Sequence, residues 1–69
     1  MVEIFKTSVQ DITQSEEMIE KLYSQFPDHM INFDLEDCDN ILRVEYSVIE
    51  NEKIIALLNL HGYHCEALL

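Results

Sequence analysis

Met30-Ile31-Asn32-Phe33-Asp34-Leu35-Glu36-Asp37-Cys38-Asp39-Asn40-Ile41-Leu42-Arg43-Val44-Glu45-Tyr46 is two alternating runs around a polar centre. Ile31, Phe33 and Leu35 alternate with Asn32, Asp34 and Glu36, the period-two pattern of a half-buried strand. Leu42, Val44 and Tyr46 alternate with Arg43 and Glu45 in the same way. Asp37-Cys38-Asp39-Asn40 between them is a cluster of turn-forming types. Two such runs, so closely joined, pair as an antiparallel hairpin with Phe33 mid-strand on the inward face.

Before the hairpin, Val2 to Val9 is rich in β-branched and aromatic types and reads as a strand. Phe5, Thr7 and Val9 share one of its faces and Val2 and Ile4 the other, so its inward face is open. The period then changes. Thr13 followed by Glu16 fits a capping box, and Met18, Ile19, Leu22 and Phe26 recur at helical spacing until Pro27 ends the helix. After the hairpin, Asn51 or Ser47 caps a second helix. Ile54, Leu57, Leu58 and His61 form its apolar stripe, and Gly62 stands where a helix-ending glycine belongs. Tyr63 to Leu69 is a short final strand, with Tyr63, Cys65, Ala67 and Leu69 on one face.

The order β-α-β-β-α-β with right-handed crossovers predicts an α+β, ferredoxin-like sandwich: a four-stranded antiparallel sheet with two helices on one face. The predicted strand order is 4-1-3-2. Three connections then share one end of the sheet: Gln10 to Gln14, Asp37 to Asn40 and His61 to His64. A site built from convergent loops belongs there.

Composition bounds the rest. With 69 residues, residues 1–69 are expected to form one domain. An apolar share of 48% excludes a disordered tail. No apolar run approaches the ~18 residues of a membrane span. The amino end carries Glu3 where a signal peptide has basic residues. Fourteen acidic side chains against four Lys or Arg give a net charge of −10, which disfavours nucleic acid and anionic membranes and favours a protein with a basic surface. Two cysteines, Cys38 and Cys65, are too few for a secreted disulfide scaffold, so reduced thiols in a cytoplasm are expected. Apolar residues on the sheet face away from the helices favour a monomer or weak homodimer, opposed by the charge.

The whole pattern resembles the heavy-metal-associated (HMA) domain of copper chaperones and metal-transporting ATPases. The resemblance rests on Phe5-Lys6-Thr7-Ser8-Val9, Met18 and Leu22, Phe33-Asp34-Leu35, Ile41-Leu42-Arg43-Val44-Glu45, Ile54 and Gly62-Tyr63. That family carries Cys-x-x-Cys in the first loop, two soft thiolates that hold Cu(I). Aligning Met18 and Leu22 on the family's helix pattern puts Asp11 and Gln14 at the cysteine positions; a one-residue slip puts Ile12 and Ser15 there. Neither register supplies a thiol. The resemblance implies the fold and withholds the copper chemistry. It also implies that the loop end, with Asp11, Gln14, Asp37 and Tyr63, faces a partner protein.

The expected function is a small non-catalytic interaction or regulatory module with no cofactor. The alternative is a divalent, Zn-type metal site from Cys38 with His61 or His64 and Asp39, residue types that suit such an ion and that the topology sends to one end. Against it, the spacing is not that of a finger or ribbon, and His61 in a last helical turn already favours the dipole. Cys65 reads as a buried thiol. No enzyme is expected, because no nucleophile has an evident base and no glycine-rich phosphate loop is present.

Overall fold

Six elements follow one another in the computed structural model, which describes residues 1–36 and 39–68: β1 (Val2–Thr7), α1 (Ile12–Gln25), β2 (Met30–Asp34), β3 (Ile41–Glu45), α2 (Asn51–Leu60) and β4 (Cys65–Leu68). Asp37 and Cys38 in the hairpin turn, and Leu69 at the end of the inferred last strand, lie outside the described residues.

β2 and β3 pair antiparallel, with Ile31 opposite Val44 and Phe33 opposite Leu42. β3 pairs antiparallel with β1, which pairs antiparallel with β4, so the sheet order is β2-β3-β1-β4. Read from the β4 edge this is 4-1-3-2. Alternation decides which side chains turn inward, and the inward face is that of Phe5, not of Val2 and Ile4. Phe5, Ile31, Leu42, Val44 and Cys65 from the strands join Met18 and Leu22 of α1 and Ile54 and Leu58 of α2 in one core cluster. Both helices therefore cover the same face of the sheet. The apolar stripes at helical spacing exist to bury there, at roughly 1.5–3 kcal/mol per large side chain.

Several boundaries differ from the sequence reading. β1 stops at Thr7, since Thr7 and Ser8 turn their backbone bonds to other loops. α1 starts at Ile12, with its N-cap two residues before Thr13: Asp11 caps it, its Oδ1 accepting from the Gln14 N–H at 2.8 Å. Asp11 and Thr13 both offer a cap oxygen, and the earlier one adds about half a turn of helix. Asn51 is the first residue inside α2, Glu50 is the N-cap without a side-chain bond, and the Asn51 Nδ2 donates to Glu3 Oε1 at 3.0 Å instead. Phe33 is only half-buried, because β2 is an edge strand. His61, placed on the apolar stripe by spacing, is exposed at the C-cap of α2. Tyr63 and His64 precede β4 rather than belonging to it.

The free edge of β2 is partly covered from within. The Tyr23 hydroxyl of α1 accepts from the Ile31 N–H at 3.2 Å and donates to the Ile31 carbonyl at 3.5 Å. That occupies backbone groups which an edge strand otherwise offers to another chain. Among the described residues no helix is long and apolar enough to cross a membrane.

Candidate functional site: the loop end of the sheet

β1 is a central strand, and its carboxyl end is the knot of the loop end. The Thr7 N–H is shared between the carbonyls of Asp39 and Asn40, each 3.3 Å away. The Thr7 Oγ1 donates to the Asn40 carbonyl at 2.7 Å and accepts from the Val9 N–H at 3.2 Å. One residue on, the Ser8 N–H donates to the His64 carbonyl at 3.0 Å, and the His64 N–H donates back to Ser8 Oγ at 2.8 Å. The β1–α1, β2–β3 and α2–β4 connections are thus tied to one two-residue segment. Asn40 reaches its place with φ 49°, a left-handed conformation that Asn tolerates better than most residues.

The third connection is shaped by Gly62. With φ +87° it follows the C-cap His61 of α2, and its N–H donates to the Asn59 carbonyl at 3.0 Å. The Tyr63 N–H donates to the Leu58 carbonyl at 3.0 Å, completing a Schellman ending. This turn drops the half-buried Tyr63 onto the core and sends His64 to Ser8.

Asp11 and Gln14 stand at the start of α1, beside this knot in sequence, and are engaged with each other. Besides the Asp11–Gln14 bond, the Gln14 Oε1 accepts from the Gln10 N–H at 2.8 Å. The Asp11 side chain satisfies an amide that a helix start leaves without an intrahelical partner, and the Gln14 side chain ties the helix back to the residue before its cap. In the alternative register, Ile12 is 68% exposed, and the buried Ser15 donates from Oγ to the Ile12 carbonyl at 2.7 Å.

The charges are sparse and solvated. Lys6 Nζ lies 3.7 Å from Asp39 Oδ1, and His64 Nε2 lies 3.7 Å from Glu66 Oε2, all half-exposed or more. Such pairs contribute little to stability. Cys65 is buried, and burial, helped by the neighbouring Glu66 charge, pushes its thiol up to about 12. It is a packing group and a poor ligand.

The structure therefore brings Asp39 and His64 to the same end of the sheet, each tied through its backbone to β1. His61 is exposed at the C-cap of α2, and Cys38 and Asp37 lie outside the described residues. Among the described residues no three His, Cys, Asp or Glu side chains form a group that could hold a metal ion. An open groove of about 410 Å³ runs beside the site between Ile12, Ser15, Phe33 and Leu35. A larger one, about 630 Å³, lies away from these loops between α1 and α2, along Phe26, Lys53, Leu57 and Leu60.

Sequence reasoning missed Thr7 and Ser8, the residues that hold the loops. The signal was present, since Thr7 is a hydroxyl on the apolar face of Phe5 and Val9, and a buried hydroxyl must find a partner. Comparison with protein-family models, with curated proteins and with solved structures finds no match to this chain.

Proposed function

We propose that this chain is a small non-catalytic interaction or regulatory module: a ferredoxin-like sandwich of the heavy-metal-associated type that has lost its Cu(I) thiolate site. The connectivity βαββαβ, the all-antiparallel order 4-1-3-2 and the single core shared with both helices support the fold. The observation that carries the function is the pairing of Asp11 with Gln14. At positions where the resemblance calls for two free thiolates, both side chains are spent on starting α1. What remains at that end is a knitted loop surface whose described charges include Asp11 and the pair Asp39–Lys6, in a chain of −10 with a further carboxylate, Asp37, in the same connection by sequence. Such a surface complements a basic protein surface better than an anion. Cytoplasmic residence suits the buried, reduced Cys65.

The test uses the full chain as bait in a native lysate, beside the charge-reversed Asp37→Lys. A partner with a basic surface is retained by the wild type and lost by the variant. Its addition shifts backbone amides of Asp11–Gln14, Asp39–Asn40 and His61–His64. Shifts confined to the other end of the sheet, or stoichiometric retention of Cu(I) against a strong chelator, overturn the reading.

A further inference from the structure

We propose that the helix-free face of the sheet is a self-association surface, on which a second copy of this chain docks through reciprocal Arg43–Glu45 pairs. The strand register lays the outward side chains of this face in three rows. Asp34, Ile41, Lys6 and Glu66 form the row nearest the loop end; Asn32, Arg43, Ile4 and Leu68 form the middle row; Met30, Glu45 and Val2 form the last. Met30 is 65% exposed and Val2 42%. Ile4, Ile41 and Leu68 are half-buried although no helix lies over them. Charged side chains interrupt this apolar surface, which is no larger than an ordinary monomer's largest patch, so its occupant is decided by charge and not by area.

Charge identifies the occupant. The face holds two of the chain's four cations, Lys6 and Arg43, and three of its fourteen carboxylates, Asp34, Glu45 and Glu66. Two against three leaves −1 here, and −9 of the total −10 elsewhere. A basic partner is drawn to the other surfaces, whereas this face is where another copy of a strongly acidic chain meets the least repulsion. Among the described residues, Lys6 and Lys53 take part in ion pairs, and neither Arg43 nor Glu45 does.

The register makes the face self-complementary. A two-fold axis running across the strands at the level of Val44, between two stacked sheets, lays the middle row of one copy on the last row of the other. Arg43 then meets the partner's Glu45 twice, and Ile4 meets the partner's Val2 twice, as an isologous contact requires. Sheets so packed lie about 10 Å apart, within reach of an Arg–carboxylate pair. Four strands of this length present a projected area of roughly 300 Å² per copy, small beside the ~800 Å² per partner of stable complexes. The dimer is therefore weak, and salt strengthens it by screening the −9 elsewhere on each copy.

Sedimentation equilibrium of the full chain tests this, at about 0.05 and 0.5 M NaCl, where the screening length falls from roughly 14 to 4 Å. The expected result is a reversible dimer that tightens with salt, with concentration-dependent shifts at Val2, Ile4, Arg43 and Glu45 amides. Arg43→Glu and Glu45→Arg should each weaken it about tenfold, and the double exchange R43E/E45R should restore it. Bulk charge alone predicts otherwise, since Glu45→Arg lowers the net charge and would tighten association. Both residues are exposed, and unchanged circular dichroism shows that the variants fold. Tighter association of Glu45→Arg, a dimer indifferent to all three variants, or a wild type that stays monomeric at about 1 mM overturns the proposal. So does a face whose amides move only on adding oligolysine.

Discussion

Asp11 and Gln14 brace the start of α1 in series: the carboxylate of the first takes the amide of the second at 2.8 Å, and the Gln14 side chain takes the amide of Gln10 at the same distance. Asp11→Ala removes the cap and should lower stability by about 1 kcal/mol, and Asp11→Asn should retain most of it. Chemical denaturation followed by circular dichroism measures both.

The same brace bears on copper. Neither Asp11 with Gln14 nor Ile12 with Ser15 supplies a soft ligand, so the wild type should release Cu(I) to a strong chelator. Replacing both braced residues, D11C/Q14C, should retain about one Cu(I) per chain. A competition titration on the two proteins reads the difference; copper held by the wild type contradicts it.

Thr7 is 5% exposed and serves two partners, the half-buried Asn40 carbonyl and the buried Val9 amide. Thr7→Val keeps the shape and removes both bonds. It should cost about 1–3 kcal/mol and speed amide exchange at Val9, read by hydrogen–deuterium exchange. Thr7→Ser, which keeps the hydroxyl, should lose less.

Phe5 is fully buried on a central strand, whereas Phe33 is half-buried on an edge strand beside an open groove. Phe5→Ala should cost about 3–5 kcal/mol, a large part of what so small a domain has. Phe33→Ala should cost about 1–2 kcal/mol. Equal shifts of the denaturation midpoint would mean that the edge strand is better covered than its exposure indicates.

Cys65 is held as a neutral thiol, its value raised from 9.0 to about 12 by burial first and by Glu66 second. Its contribution to stability is complete below about 9 and is lost as pH rises toward 12, because the unfolded thiol ionises first. In a Cys38→Ser background, a disulfide reagent at about pH 8 should leave the folded protein unlabelled and label it fully in guanidinium. Labelling of the native state at the unfolded rate would refute the assignment.

Much of the architecture was legible because its signals are periodic. The alternation from Ile31 to Glu45 and the spacing of Met18, Leu22, Ile54 and Leu58 each admit one burial pattern; Ile31, Leu42, Val44 and the four helical residues fall in the core, with Phe33 and Leu35 packed at its margin. The failures occur where two residues offer the same local chemistry. Asp11 and Thr13 are both cap acceptors; Asn51 could cap α2 but finds Glu3, a partner far away in sequence. Val2 and Ile4 are as apolar as Phe5, so only tertiary packing decides which face of β1 turns inward. The loop end was placed by topology; the Thr7 hydroxyl on an apolar face signalled a buried bond there, but its partner, the Asn40 carbonyl 33 positions on, follows only from the folded backbone.

The strand order also sets a sequence of events in time. β2 and β3 close over a few residues of turn, so their pairing is fast and needs nothing else of the sheet. β4 pairs with β1, and Ile4 waits opposite Leu68 at nearly the far end of the chain. On a ribosome, β1 emerges first and is the last strand to gain its second neighbour. Through that interval it presents Phe5 and Ile4 along an open edge to whatever other nascent chains are near. Unlike β2, which has Tyr23 to shield it, the edge of β1 stays open until the residues of β4 arrive.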